Sequence, residues 1–160
     1  MLTTRTALTA TAVVGAASMG GVFAAFSTFV MPALGRLVPG DAITAMQAVN
    51  RAAPTPLFMI PLFGTAALGI GLAVQAARNL DVPGSALDSA GAAVYAVAVI
   101  GLTAAYHVPR NDALAHVDPG AADAASTWST YLREWTRANH VRAVGGLAAA
   151  GCRAVALLRG

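Results

Sequence analysis

The stretch PLFMIPLFGTAALGIGLAVQAA, residues 56–77, contains no charged side chain and is long enough to cross a lipid bilayer. A membrane-spanning helix needs about 20 mostly apolar residues. The whole chain has the same character, because 57% of its 160 residues are hydrophobic and only 11% are charged. A soluble domain of average composition has about 25% charged residues. The sequence therefore predicts an integral membrane protein.

Three further apolar stretches predict a multi-pass topology. The predicted spans are residues 8–31, 56–77, 88–107 and 138–158. The first stretch is longer than the roughly 7 to 15 apolar residues of a signal peptide, so we interpret it as a span rather than a cleaved signal. The fourth contains Arg142 and Arg153, and we expect these long side chains to extend to the membrane interface.

Four spans use most of the chain and predict a single integral membrane domain, residues 1–160. The predicted fold is all-α: a four-transmembrane-helix bundle with short helices in the two long loops, both on one membrane face. These loops are residues 32–54 and 107–138. In the first loop a Pro39-Gly40 turn precedes Asp41, a residue type that caps helix N-termini. One face of the helix that follows carries Ile43, Met46, Gln47 and Asn50.

The second loop contains the segment WSTYLREWTRANHVR, residues 128–142, with both tryptophans of the chain. On a helix, five of its side chains lie within about 80° of one another. These five, called the 128–142 stripe below, are Trp128, Tyr131, Trp135, Asn139 and Arg142. An aromatic belt at the membrane interface, or a packed loop helix, explains the rings without any function. A stripe that continues into an amide and a guanidinium instead favours a pocket with an apolar wall and a polar floor.

A second polar concentration, AYHVPRNDAL at residues 105–114, follows the third predicted span. Pro109 lacks an N–H group and disfavours helical geometry at Val108, so we expect the helix to stop near His107. Carbonyl groups freed at membrane depth must then be satisfied by protein or water. The polar groups available are His107, Arg110, Asn111 and Asp112. An ordinary helix exit, with Asn111 or Asp112 as a cap and Arg110 among the lipid headgroups, is the alternative.

Metal, cofactor and nucleic-acid sites are not predicted. The three histidines show no HxxxH or HxxE pairing, and neither GxGxxG nor CxxCH is present. A metal bound by His107 and His140 across two helices stays open as an alternative. The net charge of +3 is too small and too scattered to indicate nucleic-acid binding.

Four segments, in this order, resemble the small membrane proteins of the DUF1772 or anthrone oxygenase-like family. They are FSTFVMPAL (26–34), AMQAVN (45–50), VPRNDAL (108–114) and WSTYLREWTRANHVR (128–142). The resemblance implies an integral membrane monooxygenase that converts polyketide anthrones to anthraquinones, with no flavin or haem motif. The family pattern has an asparagine at the position of His107, so this chain departs from it there.

This chemistry assigns a role to each candidate residue. An anthrone that loses a proton becomes an electron-rich anion that can pass an electron to O2 without a metal, so the site needs a base and an oxyanion donor. His107 or His140 is the candidate base, because an imidazole titrates near neutral pH. The candidate oxyanion donors are Arg142 and Asn139, with Asn111 or Asn50 as a second donor. The candidate substrate-binding walls are Trp128, Tyr131, Trp135 and Phe26.

Two other function classes stay open at this point. In a non-enzymatic membrane partner or assembly subunit, the 128–142 stripe would be a docking face. A small transporter should place ionisable residues near the bilayer midplane, where only Arg153 is a candidate. The expected partners of the enzyme are a small aromatic substrate, O2 and the lipid bilayer. We also expect a homo- or hetero-oligomer, since small residues on the helices favour association.

Overall fold

The computed structural model describes residues 4–78 and 83–159, and its helices follow one another without a strand among these residues. The helices are α1 (Thr4–Leu34), α2 (Pro39–Ala52), α3 (Pro56–Arg78), α4 (Ser85–Ala115) and α5 (Ala124–Arg159). All except α2 are long and apolar enough to cross a membrane. The predicted all-α bundle with four membrane-crossing helices is therefore confirmed, and it supports a multi-pass membrane protein.

The long helices alternate in direction, which places two kinds of connection at opposite ends of the bundle. One end, called the loop face below, carries α2 and the connection between α4 and α5. At the other end lie the first turn of α1, the last turn of α3 and the last turn of α5. The loop face is the end at which the sequence places both long loops.

The fourth long helix extends well beyond its predicted span of 138–158. α5 has 36 residues, which at 1.5 Å per residue is roughly 54 Å, whereas a bilayer core is about 30 Å thick. The segment 128–142 is therefore the first half of a spanning helix and not a separate loop helix. Its side chains lie along one continuous helix that runs from the membrane to the loop face.

The predicted stop near His107 is wrong, because α4 continues through Pro109 to Ala115. The backbone before the proline is wound as a wider π-helix over Tyr95–Gly101 and Thr103–His107. Pro109 then stands in the first turn of a new α-helical stretch, where its missing N–H group costs little. Single π-turns in helices are frequent at functional sites.

Close contact between α1 and α5 forms the centre of the bundle, and it depends on two facing glycines. A Cβ atom added to Gly146 would lie 2.8 Å from the Cα of Gly20, and one added to Gly20 would lie 2.8 Å from the Leu147 nitrogen. Neither position has room for a side chain. This crossing holds α5 against α1 and sets where the stripe on α5 meets its neighbours.

Two apolar cores lie one above the other along the bundle axis. The first, within the membrane-crossing part, includes Met19, Phe23, Leu62, Tyr95 and Val99. The second, at the loop face, joins α2 to the first half of α5 and includes Met31, Ile43, Met46, Leu114 and Trp128. Helix α2 is tied down by Gln47, whose side-chain amide donates to the carbonyl oxygens of Leu114 and Val117 at 2.9 and 3.0 Å.

Arg153 does not extend to the membrane interface, so that prediction is wrong. Its side chain is fully buried, and its Nε atom lies 3.5 Å from Oδ1 of Asp88 in α4. The hydroxyl of Thr9 in α1 donates to the other carboxylate oxygen of Asp88 at 3.3 Å. Arg142 is buried as well, at 5% exposure. Arg142 and Arg153 therefore both point into the bundle, where partners on other helices are available.

Candidate functional site

The 128–142 stripe faces the interior of the protein along its whole length. Trp128, Tyr131, Trp135, Asn139 and Arg142 are all buried, which confirms that they share one inward face of α5. Because α2 and α4 cover the rings, the stripe is not a free surface for a docking partner. The structure also places Phe26 of α1 beside the stripe, with ring centroids of Phe26 and Trp135 5.8 Å apart.

The polar floor of this site is a closed network around Asn139, which is completely buried. Its amide nitrogen donates to the carbonyl oxygen of Phe23 and to the hydroxyl of Ser27, both at 2.7 Å. Its amide oxygen accepts from Nη2 and Nε of Arg142 at 2.7 and 3.1 Å. A side-chain amide has two N–H donors, and both are occupied. Asn139 is therefore placed to hold Arg142 rather than to bind a substrate oxygen directly.

The guanidinium of Arg142 is held by side chains of α1, α4 and α5. Its remaining terminal nitrogen, Nη1, lies 3.4 Å from the hydroxyl of Thr103 in α4. The guanidinium carbon lies 4.4 Å from the ring centroid of Phe23 and 5.1 Å from that of Trp135. Cations over aromatic faces are attracted by the ring electrons. The result is a preorganised positive charge at the base of the aromatic rings.

Above this floor, a second polar group links α2, α4 and α5. The Asn111 amide oxygen accepts from the hydroxyl of Tyr131 at 2.9 Å and from the indole nitrogen of Trp135 at 3.0 Å. The Asn50 side-chain amide donates to the same tyrosine hydroxyl at 3.5 Å. Sequence reasoning named all four residues, and the structure brings them together. The amide oxygen of Asn111 orients both rings. The N–H groups of the same amide remain as potential donors.

His107 lies between the two polar groups and is buried at 1% exposure. Its ring packs edge-on against Trp135, with centroids 5.0 Å apart, and against Tyr106, with centroids 5.6 Å apart. Neither ring nitrogen makes a hydrogen bond of good geometry to a described residue, although the backbone of Ala138 and the positive charge of Arg142 lie near the ring. A neutral imidazole in this position has one ring nitrogen that can accept a hydrogen bond.

His140, the alternative candidate base, lies outside the cluster. Its side chain is exposed, whereas the neighbouring Asn139 is buried. The physical reason is helix geometry: Ala138 borders the ring of His107, and two residues further along α5 the side chain points about 200° away. Among the described residues, no group of three or more His, Cys, Asp and Glu side chains is arranged to hold a metal ion. His140 thus lies on the exposed side of α5, whereas the ring of His107 is buried.

The rings of the stripe fill the space that the sequence predicts as an open slot. Trp128 and Tyr131 stack at 5.7 Å, and Trp135 contacts both Phe26 and His107. The nearest cavity, of about 430 Å³, lies on the other side of Tyr131, between the ends of α4 and α5. A flat ligand reaches the polar floor only if ring side chains move or if it first occupies this cavity.

Sequence reasoning missed two residues of the polar floor, Ser27 and Thr103. Ser27 contacts Asn139 from α1, and Thr103 contacts Arg142 from α4. A signal was present for Thr103, because it lies four residues before His107 and eight before Asn111 on one face of α4. For Ser27, a single hydroxyl in an apolar span did not indicate which helix it would contact.

The fold and the site together define a small multi-pass helix bundle with a buried polar cluster beneath aromatic rings at one membrane face. Residues 55–152 match the sequence model of the anthrone oxygenase family, so the chain belongs to this family. The match covers α3, α4 and most of α5, including His107, Trp135 and Arg142. No curated protein and no solved structure matches the chain.

Proposed function

We propose that this protein is a membrane-bound oxygenase-like enzyme that oxidises an anthrone or a similar aromatic polyketide with O2. Family membership supports an oxygenase-like role, and the buried Arg142 network beneath the aromatic rings is the observation that carries the proposal. The reaction balances without a further reductant: anthrone and O2 give anthraquinone and water. The substrate CH2 group becomes a carbonyl, and the second oxygen atom leaves as water.

The first step is removal of a proton from the CH2 carbon that lies opposite the anthrone carbonyl. His107 is the base, because its buried ring has a nitrogen without a hydrogen bond of good geometry and lies against Trp135. The pair of electrons left on carbon spreads through the rings onto the carbonyl oxygen. General bases of this kind contribute roughly 10²- to 10⁴-fold to rate.

The second requirement is a fixed positive group for the oxygen that becomes negative. Arg142 supplies it, since Asn139 and Thr103 hold the guanidinium in one orientation before substrate arrives. A preorganised donor in a site without bulk water stabilises developing charge more than a mobile one does. Asn111 is the second donor. Tyr131 and Trp135 donate to its amide oxygen, and its amide N–H groups remain for the substrate.

Oxygen then reacts with the electron-rich anion. One electron passes from the anion to O2, and the resulting carbon radical and superoxide combine to form a C–O bond. Protonation gives a hydroperoxide at the former CH2 carbon. Loss of the remaining hydrogen on that carbon, with cleavage of the O–O bond and release of water, leaves the new carbonyl. The protein's part is to hold the anion and to exclude water from the reactive carbon.

The test is turnover by the full chain in lipid nanodiscs, with anthrone and ¹⁸O2 as reactants. We expect O2 uptake and anthraquinone formation in equal amounts, with one labelled oxygen in the quinone, at a rate above that of empty nanodiscs. Arg142→Ala should lower kcat by about a hundredfold or more, while His116→Asn, an exposed histidine of the loop face, should retain the rate. No turnover of any anthrone in a panel, or equal turnover by Arg142→Ala, would reject the proposal.

A further inference from the structure

The cavity beside the 128–142 stripe has the size and lining of a ligand site. Its volume of about 430 Å³ falls within the roughly 300 to 1,000 Å³ of small-molecule pockets. It runs along α5 from Ser126 to Glu134, a length of roughly 12 Å at the helical rise per residue. The lining residues are Arg110, Ala113, Leu114, Val117, Ser126, Thr127, Thr130, Tyr131 and Glu134. We call this cavity the α4–α5 groove.

The two long walls of the groove differ in chemistry. The wall on the α4 side is apolar and consists of Ala113 and Leu114 of α4 and Val117 just after it, whereas the α5 wall is lined by Ser126, Thr127 and Thr130. An aromatic ring system with oxygen substituents on one edge matches such a pair of walls. Tyr131 belongs to the stripe and also lines the groove. Its hydroxyl donates to Asn111 at 2.9 Å. The groove thus adjoins the proposed catalytic cluster, with Tyr131 between the two.

Arg110 gives the groove a positive end. Its guanidinium carbon lies 3.4 Å from the ring centroid of Tyr106, which holds the side chain in place. Its Nε and Nη2 atoms both donate to a single oxygen of Glu134, at 3.4 and 3.3 Å. Charge-assisted hydrogen bonds of this type are usually about 2.7 to 2.9 Å long. The ion pair is therefore loose and partly exposed, with Arg110 34% exposed, and donors remain for a second anion.

We infer that the α4–α5 groove binds a flat aromatic acid, with Arg110 taking the carboxylate or phenolate oxygen of the ligand. Glu134 competes for the same guanidinium and sets how strongly an anionic ligand is preferred. The inference rests on the proposed function only in naming this ligand as substrate; binding itself does not require turnover. Neither Arg110 nor Glu134 has a role in the proton and oxygen steps above.

Two matched probes test the inference by equilibrium binding. Anthraquinone-2-carboxylate carries the acid, and anthraquinone-2-carboxamide has the same rings without the charge. Quenching of Trp128 and Trp135, the two tryptophans of the sequence, reports binding, since Trp128 stacks on Tyr131, which lines the groove. Full-length protein in neutral-lipid nanodiscs is titrated with each probe, and empty nanodiscs correct for partitioning. We expect the carboxylate to bind about tenfold more tightly than the carboxamide, in line with one charge-assisted contact.

Variants of the two charged residues then separate recognition from general attraction. Arg110→Gln should remove the preference for the carboxylate and leave carboxamide binding nearly unchanged. Glu134→Gln should increase the preference, because it removes the competing anion. Arg133→Gln, the neighbouring exposed arginine, deletes the same charge outside the groove and should change nothing. Arg110→Lys, which keeps the charge but loses the planar fork, should retain part of the preference.

The outcomes distinguish this inference from the proposed function. Equal weakening by Arg110→Gln and Arg133→Gln, or no preference for the carboxylate in the unmodified protein, would overturn the groove assignment. Carboxylate binding that depends on Arg110, without oxidation of any anthrone, would retain the groove and reject the oxygenase proposal. Anthrone oxidation by Arg110→Gln at unchanged KM for acidic and neutral substrates would retain the oxygenase and reject the groove.

Discussion

Arg153 of α5 and Asp88 of α4 form an ion pair inside the bundle, with 3.5 Å between Nε and Oδ1 and both side chains fully buried. Arg5 approaches the second carboxylate oxygen of Asp88 at 4.0 Å, and Thr9 donates to it at 3.3 Å. The terminal nitrogens of Arg153 make no hydrogen bond to any described residue. A single carboxylate therefore joins α1, α4 and α5 at the end of the bundle opposite the loop face.

Removing one partner of this pair should destabilise the protein strongly. Asp88→Asn leaves the buried charge of Arg153 uncompensated, which typically costs about 3 to 5 kcal/mol of unfolding free energy. Asp88→Leu combined with Arg153→Met should lose less than Asp88→Asn alone, because no unpaired charge remains. Thermal unfolding in one detergent, followed by circular dichroism, measures both. Asp112→Asn, an exposed acid of the same helix, is the control; equal loss in this variant would contradict a special role for the pair.

Alanine at Gly146 should separate α1 from α5. The added methyl group would lie 2.8 Å from the Cα of Gly20, a distance that backbone atoms cannot accommodate without movement. We expect a loss of at least about 1 to 3 kcal/mol from overpacking. Gly151→Ala in the same helix meets no atom within 4 Å and should be neutral or stabilising, because alanine favours helix by up to about 1 kcal/mol. Similar melting temperatures for the two variants would show that the crossing tolerates a side chain.

Asn139 should act on turnover through Arg142, as a positioning residue. Both of its amide donors are used by Phe23 and Ser27, and its oxygen holds the guanidinium. We expect Asn139→Ala and Arg142→Ala each to lower kcat by about a hundredfold or more. The double variant should be no worse than Arg142→Ala alone, because residues that act as one unit are not additive. Multiplicative losses in this cycle, measured as O2 uptake, would instead mean that Asn139 contributes independently. Arg137→Ala, exposed on the same helix, is the control.

Loss of the Gln47 side-chain amide should loosen the loop face without touching the polar floor. Its two bonds to the Leu114 and Val117 carbonyls connect α2 to the end of α4. Gln47→Leu should cost about 1 to 3 kcal/mol in local stability, since two part-buried hydrogen bonds are lost. Faster amide hydrogen exchange in α2 and in residues 113–118 is the expected result. Gln75→Leu, an exposed glutamine of α3, should leave exchange in both segments unchanged.

Local patterns in the sequence predicted the helices and much of the site. Apolar runs identified the four long helices, and helical spacing placed Trp128, Trp135 and Arg142 on one buried face. The same spacing put Gln47 and Asn50 on the inward side of α2, where both make hydrogen bonds to other helices. Such predictions succeed because periodicity depends only on neighbours along one helix.

The errors came from treating each helix end and each charge by itself. Pro109 looked like a stop, but the π-helical turns before it let α4 continue to Ala115. Arg153 was expected to extend to water, but Asp88 lies within reach inside the bundle. Residue type alone makes His140 an alternative to His107 as the candidate base, but the side chain of His140 is exposed and points away from the buried face of α5.

By itself, the sequence determined an all-helical, membrane-crossing chain and the single face of α5 that carries the 128–142 stripe, since both follow from apolar length and the helical repeat. Only the tertiary structure decided which side chains of other helices meet this face. The Gly20–Gly146 crossing fixes how α5 lies against α1, and this brings Ser27 to Asn139 and Phe23 to Arg142. Contacts between segments more than a hundred residues apart depend on helix packing, which no local pattern encodes.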